Sequence, residues 1–111
     1  MEKLEKYRNC VQELLVEYSK NKPAYGEIEV QTIFDTVRDH YQIVHLGWKQ
    51  EKLIHSCVIH VDIKNEKIWI QWNGTELDIA AKLVADGVAK QDIVLGFQSP
   101  FMRQFTEYAI G

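Results

Sequence analysis

The stretch KLIHSCVIHVDIKNEKIWIQW, residues 52–72, decides the fold of this chain. Apolar residues alternate along both of its arms, and they would share one face of a sheet: Cys57, Ile59, Val61 and Ile63 in the first arm, Ile68, Ile70 and Trp72 in the second. The tetrapeptide KNEK, residues 64–67, predicts the turn of an antiparallel hairpin. Because an isolated hairpin is marginally stable in water, the rest of the chain must supply more strands and a helix to cover it.

The residues before this hairpin predict one helix and two further strands. Apolar residues spaced three and four apart over residues 2–20 indicate an amphipathic helix, which Pro23 and Gly26 end. From Glu27 the period changes to two, which indicates a strand over 28–34 and then a second over 40–48. The short turns VRD and KQEK would connect these strands to each other and to the hairpin, giving a four-stranded antiparallel meander. The helix stripe consists of Leu4, Tyr7, Val11, Leu14, Leu15 and Tyr18.

The residues after the hairpin predict a second helix and a short end piece. Asn73 and Gly74 favour a turn, and a helix over 76–86 would follow, capped by Thr75 or Asp78 and ended by Gly87. An extended segment at 93–95 and a helical turn starting at Ser99 and Pro100 complete the chain. We therefore expect an α+β fold with both main helices on one face of the sheet. The last aromatic residues would close the core or dock on a second subunit: Phe101, Phe105 and Tyr108.

Composition limits the class of protein. With 111 residues and 46% hydrophobic content, the chain has enough apolar side chains for one core, and we expect a single domain over residues 1–111. A net charge of -3 disfavours binding to nucleic acid by this chain alone. The charged amino end has no apolar run typical of a signal peptide or a membrane anchor, so we expect a cytoplasmic protein. Cys10 and Cys57 have no CxxC spacing and are expected to be reduced core residues.

Four histidines raise the question of a metal site. With a three-residue turn between the second and third strands, His40 would lie opposite His60, and His45 opposite His55. These two pairs would occupy opposite faces of the sheet, and neither has a third ligand at zinc-like spacing. We therefore expect no metal and no cofactor, with imidazoles that are solvated or hydrogen-bonded.

The triplet DIK at residues 62–64 raises the question of catalysis. This arrangement of a carboxylate and a lysine resembles the active site of metal-dependent nucleases, in which the carboxylate binds magnesium and the lysine positions the attacking water. Asp35 or Asp39 could offer a second carboxylate. Such a triplet is also common at strand ends, where a charged pair leads into a turn. We expect no enzyme and assign no catalytic residue; a DNA-acting enzyme that uses Asp62 and Lys64 is the alternative.

The second face of the predicted sheet is more apolar than a solvated surface. If Ile43, Cys57, Ile59 and Ile70 point at the helices, the opposite face carries Val44, Leu46, Trp48, Ile54, Val58, His60, Trp69 and Gln71. Large aromatic residues set among polar ones are typical of the centres of protein interfaces. The alternative is that the C-terminal aromatic tail folds over this face within one molecule. The residues expected to bind a partner are Trp48, Val58, His60, Trp69 and Gln71.

Three segments resemble a known family: IFDTVRDHYQIV at 33–44, CVIHVDIKNEKIWIQWNGTE at 57–76 and DIVLGFQSPFMRQF at 92–105. They resemble the XisI family, the fdxN element excision controlling factors of cyanobacteria, and the likeness extends from the Tyr-Arg pair at 7 and 8 to the final glycine. The resemblance implies an accessory protein that controls site-specific excision of a DNA element during heterocyst differentiation. Its implied partners are a XisH-like protein and the excision recombinase, and the apolar face adds a homodimer as a further expectation. No catalytic residue is implied.

Overall fold

The computed structural model describes residues 2–24 and 26–111. Within these residues, a long helix precedes a sheet, and short helical segments follow it. The elements are α1 (Lys3–Ser19), β1 (Glu27–Asp35), β2 (His40–Lys49), β3 (Lys52–Lys64), β4 (Lys67–Asn73), α2 (Ile79–Ala85), a 3-10 turn (Lys90–Asp92), β5 (Ile93–Leu95) and α3 (Pro100–Arg103). This order confirms the α+β fold that the sequence predicts.

The sheet has five strands in the order β1-β2-β3-β4-β5. The first four are antiparallel, as the predicted meander requires. Strand β5 is the expected short fifth segment, and it pairs with β4 in parallel. The parallel direction follows from the connection, because a chain that passes through a helix between two neighbouring strands can return in the same direction.

The core lies between one face of the sheet and the two main helices. Helix α1 contributes Tyr7, Val11, Leu14 and Leu15, and α2 contributes Ile79, Ala80 and Leu83. Fully burying an aliphatic or aromatic side chain contributes about 1.5–3 kcal/mol relative to leaving it exposed, so this layer dominates the stability of the fold. The sheet residues of the same cluster are Tyr41, Ile43, Ile59, Val61, Ile63, Ile68, Ile70 and Ile93.

Helix α2 begins three residues later than the sequence predicts. Asp78 is its N-cap, and the carboxylate Oδ1 accepts a hydrogen bond from the Ala81 amide at 3.0 Å. Thr75, the other candidate cap, instead donates both its amide and its hydroxyl to Asn73 Oδ1. The segment before Asp78 is therefore a turn held by side chains. Ser99 caps α3 as predicted, because its hydroxyl accepts from the Met102 amide.

Polar contacts fix α1 to the rest of the molecule. Arg8 donates to both carboxylate oxygens of Asp39, at 2.8 and 3.1 Å, and Tyr41 donates to the same carboxylate at 2.8 Å. Tyr7 donates to Asp92, at the opposite end of the chain, at 2.5 Å. Burial and the Asp92 carboxylate raise the pKa of Tyr7 to about 12, so its hydroxyl stays a donor through the neutral range. These contacts orient α1 across the sheet.

Two β-bulges change which face several side chains occupy. The pairing of β2 with β3 passes from Ile43 and Ile59 to Val44 and Cys57, so Val58 is an extra residue. Val58 packs against the core instead of lying on the second face, and this part of the prediction is wrong. Cys57, expected on the helix side, instead pairs with Val44. Strict alternation fails here because an extra residue shifts every later side chain to the other face.

The second bulge lies in β4 and places Trp72 on the sheet face away from the helices. The pairing with β3 passes from Ile70 opposite Val61 to Trp72 opposite His60, so Gln71 is the extra residue. Trp72 therefore shares a face with His60 and is 54% exposed, whereas the sequence pattern places it under the helices. The predicted inward position of Trp72 is wrong for this reason.

Both cysteines are free thiols, at positions that are neither fully buried nor exposed. Cys10 packs against the core, as expected, and burial raises its pKa. Burial also raises the pKa of Cys57, whose thiol donates to the carbonyl of Ile59. Among the described residues, no helix is both long and apolar enough to cross a membrane.

Candidate functional site

A cluster of polar side chains lies on the sheet face away from the helices. Lys49 pairs with Lys52, so the turn between β2 and β3 has two residues instead of three. Together with the bulge, this turn sets His40 opposite Asp62. His60 lies two residues from Asp62 on the same strand and therefore on the same face. The predicted pairing of His40 with His60 is wrong, but the register brings both histidines to one carboxylate.

The other two histidines do not join this cluster. His45 lies opposite Ser56 and His55 opposite Leu46, so the predicted pairing of His45 with His55 is also wrong. His45 is buried, its Nε2 has no hydrogen-bond partner among the described residues, and burial lowers its pKa. His55 is exposed to solvent. Neither histidine therefore contributes a ligand to the cluster around Asp62.

Asp62 is the centre of the cluster. Its Oδ1 lies 2.8 Å from His40 Nδ1 and 2.8 Å from His60 Nε2, and its Oδ2 accepts from Gln71 Nε2 at 3.3 Å. Burial alone would raise the pKa of this carboxyl, but the hydrogen bonds from His40, His60 and Gln71 outweigh burial and hold the pKa below its usual value. The carboxylate is therefore ionised and available as an acceptor at neutral pH.

The cluster opens onto a shallow groove at the end of the sheet. The groove is lined by Ile33, Phe34, Asp35 and Gln42 as well as the cluster itself. The side chain of His40 is 53% exposed, whereas that of Asp62 is 15% exposed. Solvent and small solutes can therefore reach the imidazole of His40. The less exposed carboxylate of Asp62 is oriented by its hydrogen bond from Gln71.

The groups considered for nuclease chemistry are engaged elsewhere. The ammonium of Lys64 lies 4.1 Å from the ring centre of Trp69, which is a cation-π contact. Asp35 Oδ1 accepts from the Val37 and Arg38 amides in the β1–β2 turn. The Asp39 carboxylate is held by α1. The arrangement of the described residues thus gives Asp62 two imidazoles as neighbours, rather than a second carboxylate and a lysine.

Trp69 is covered by its own chain. Its ring is contacted by Lys64 and by Arg103 of α3, whose guanidinium carbon is 5.2 Å from the ring centre. Arg103 also donates to the carbonyls of Gln98 and Gly96, which ties the C-terminal segment to the sheet. The tail therefore covers part of the second face, through Arg103 rather than through aromatic rings. The indole nitrogen Nε1 of Trp69 is buried and has no hydrogen-bond partner among the described residues.

Trp48 lies far from the other predicted partner residues. It pairs with Leu53 at the closed end of the β2–β3 hairpin, whereas His60 pairs with Trp72. His60 is seven positions along β3 from Leu53, which corresponds to about 23 Å along the strand. The five residues predicted to bind a partner therefore do not form one patch. His60, Trp69 and Gln71 lie together, Val58 packs against the core, and Trp48 stands apart.

The C-terminal aromatic residues divide between core and surface. Tyr108 packs against the buried cluster, as one of the two expectations for these residues states. Phe101 and Phe105 contact each other edge to face and remain 66% and 68% exposed. The sequence reading missed Trp72 as an exposed residue and Asp62 as the link between His40 and His60. The bulge at Gln71 exposes Trp72, and the two-residue turn with the bulge at Val58 sets Asp62 opposite His40. None of these features has a distinct signal in the sequence.

Comparison with known proteins identifies close structural relatives. The model of the XisI family, described as XisI protein, matches residues 1–110. The crystal structure of a XisI-like protein from Anabaena variabilis ATCC 29413 is 45% identical, covers 97% of this chain and 99% of its own, and superposes with a TM-score of 0.91. The crystal structure of the fdxN element excision controlling factor XisI from the same organism is 32% identical, covers 99% and 100%, and gives a TM-score of 0.86. No curated protein matches the chain.

Proposed function

Because this chain belongs to the XisI family, we propose that it controls site-specific excision of a DNA element by binding protein partners. The similar structure named as the fdxN element excision controlling factor XisI supports a role in excision control. The partner in this proposal is a XisH-like protein, with the excision recombinase as a second binding partner, in the setting of heterocyst differentiation. The chain itself acts as a regulatory protein and not as an enzyme.

The observation that carries this proposal is an exposed tryptophan near the end of β4, on the sheet face away from the helices. We define the open face as His40, His60, Asp62, Gln71 and Trp72, the group on the side away from the helices. Trp72 is 54% exposed and lies directly opposite His60, so a large aromatic side chain shares this face with hydrogen-bonding groups. This combination is typical of the centre of a protein interface. Trp72, rather than the covered Trp69, is therefore the proposed anchor.

Charge supports a protein partner over DNA. The chain carries 16 acidic and 13 basic residues, so it lacks the excess of cations that neutralises phosphates. Two cations near the sheet are already engaged, because Lys64 and Arg103 both lie against Trp69. We therefore expect the chain alone to have no direct affinity for nucleic acid at physiological salt.

The test compares two tryptophans that are equally exposed. Trp72→Ala and Trp48→Ala each remove a side chain that is 54% exposed, so neither change opens a cavity in the core. Truncating an interface anchor typically costs about 2 kcal/mol or more, which is roughly a thirtyfold loss of affinity. We expect Trp72→Ala to weaken pull-down of the XisH-like protein by about this factor, and Trp48→Ala to leave it unchanged.

Two results would contradict the proposal. Unchanged pull-down by Trp72→Ala, in a variant whose circular dichroism matches that of the unmodified chain, excludes the open face as the docking surface. Loss of pull-down in Trp48→Ala but not in Trp72→Ala would place the docking surface at the closed end of the β2–β3 hairpin. Sedimentation of the same variants reports whether the surface instead binds a second copy of this chain.

A further inference from the structure

We propose that His40, His60 and Asp62 form a binding site for a divalent first-row transition metal ion, with Zn²⁺ as the ion to be tested. Two ligand atoms come from imidazoles and one from a carboxylate, and each pair of these three atoms lies within 4.8 Å. The proposal concerns metal binding by this chain alone and does not depend on the proposed role in excision control.

The types of donor suit such an ion. Imidazole nitrogen and carboxylate oxygen are both ordinary zinc ligands, and sets of two histidines and one carboxylate also bind iron. Sites with three protein ligands keep a further coordination position for water or another molecule. The His40 side chain, at 53% exposure, leaves that position open to the groove. Magnesium and calcium, which prefer oxygen ligands, fit this set poorly.

The spacing of the donors also suits a single ion. When two ligands each bind a metal at about 2.1 Å, their atoms lie about 3.0–3.4 Å apart in octahedral or tetrahedral geometry. His40 Nδ1 and His60 Nε2 each lie 2.8 Å from Asp62 Oδ1. Small side-chain rotations would therefore be sufficient to admit an ion between them. Because His40 and Asp62 are paired across β2 and β3, the backbone holds the ligands at this spacing.

Two glutamines support the ligands from outside. Gln71 Nε2 donates to Asp62 Oδ2, so the second carboxylate oxygen is already oriented. The amide of Gln42 lies 3.5 Å from His60 Nδ1, the ring nitrogen that faces away from Asp62. With its oxygen turned to this nitrogen, Gln42 would accept the Nδ1–H and leave Nε2 free to bind the ion. Such outer hydrogen bonds are typical of histidines that bind metals.

A simple hydrogen-bonded cluster is the competing explanation of the same contacts. Both imidazoles would then donate to Asp62, and no ion would bind with higher affinity than at any exposed histidine. The chain offers a matched control for this possibility, because His55 is an exposed histidine that lies outside the cluster. The comparison of cluster and control variants separates the two explanations.

The experiment is a calorimetric titration of the metal-free chain with ZnCl₂, repeated with Co²⁺ and its visible absorption as a second readout. The variants are Asp62→Asn, which preserves size but removes the charge and replaces one acceptor oxygen by an amide donor, His40→Ala at a half-exposed position, and the control His55→Ala. We expect one ion per chain in the unmodified protein and in the control. We expect affinity at least about tenfold lower in each cluster variant, since even loss of an outer partner typically costs 10–100-fold.

The proposal is overturned by any of three results. The first is the absence of saturable binding by the unmodified chain. The second is equal binding by Asp62→Asn, His40→Ala and the unmodified chain, which would mean adventitious binding elsewhere. The third is a loss in His55→Ala as large as that in the cluster variants. Circular dichroism of each variant shows that it is folded, and the near-isosteric Asp62→Asn keeps the test valid if His40→Ala is not.

Discussion

Single side chains connect parts of this chain that are distant in sequence. Asp39 is the main example, because its carboxylate accepts from Arg8 of α1 and from Tyr41 of β2. Burial alone would raise its pKa, but the bonds from Arg8 and Tyr41 outweigh burial and lower the pKa. A lowered carboxyl pKa in the folded state means that the charged form stabilises the fold.

The first prediction concerns Asp39→Asn. Losing a charge-assisted hydrogen-bonded pair should reduce the free energy of unfolding by about 2 kcal/mol at about pH 7. The stabilisation from Asp39 is present above the unfolded-state pKa of about 4 and is lost as pH falls through the folded-state value. The difference in unfolding free energy between Asp39→Asn and the unmodified chain should therefore be smaller at about pH 3. Urea unfolding of both proteins at the two pH values measures this difference.

The control for Asp39→Asn is Glu5→Gln. Glu5 is the exposed partner of Arg8, at 3.4 Å, and an exposed ion pair contributes less than about 1 kcal/mol. Equal losses in the two variants, or a loss in Asp39→Asn that persists undiminished in acid, would contradict the role assigned to Asp39.

At the scale of elements, the turns determine which residues meet. Asn65 and Glu66 join β3 to β4 with φ of 54° and 60°, both in the left-handed region. Two-residue hairpin turns of this kind prefer Asn-Gly, because glycine adopts positive φ without steric cost. Asn65 suits its position, whereas Glu66 is held in a strained conformation.

The second prediction is that Glu66→Gly stabilises the fold. Relief of left-handed strain should raise the free energy of unfolding by about 1 kcal/mol and the melting temperature by a few degrees. Glu51→Gly is the matched control, because Glu51 occupies the β2–β3 turn and is not among the described residues with positive φ. Glycine there should have no effect or lower stability. A stabilising Glu51→Gly, or a Glu66→Gly that lowers the melting temperature, would contradict this account of the turn.

The sequence pattern predicts the elements well because their periods are regular. The three-and-four spacing of Tyr7, Val11 and Leu14 can fit only one face of a helix, and the alternation of Ile59, Val61 and Ile63 only one face of a strand. The candidate site could not be predicted in the same way. The cluster around Asp62 depends on the two-residue turn after Lys49 and on the extra residue at Val58, and the position of Trp72 depends on the extra residue at Gln71. A change of one residue at any of these places moves the side chains beyond it to the other face.

For the whole molecule, the C-terminal segment connects the edge of the sheet to its open side. The Ala109 amide donates to the carbonyl of Ile93 at 2.8 Å, so the end of the chain lies beside β5. Arg103 holds the part between them, since it donates to Gly96 and Gln98 and lies over Trp69. The segment is therefore held beside β5 by backbone pairing, by the packing of Tyr108 against the core and by contacts of Glu107 with Lys90 and Gln91. On the open side it is held by the side chain of Arg103.

The third prediction is that Arg103→Ala loosens this segment without unfolding the domain. The lost cation-π contact and hydrogen bonds together should lower the local opening free energy by about 1.4 kcal/mol, which is a tenfold faster exchange of the Ala109 amide. Amides of β3 should keep their exchange rates because they open only with the core. An example is the Ile63 amide, which donates to the backbone carbonyl of Asp39 at 3.0 Å. Arg38→Ala, at an arginine whose side chain is 75% exposed, is the control and should change neither rate.

Equal acceleration at Ala109 and Ile63 would mean that Arg103 stabilises the whole fold. No acceleration at Ala109 would mean that the pairing beside β5 holds the segment without Arg103.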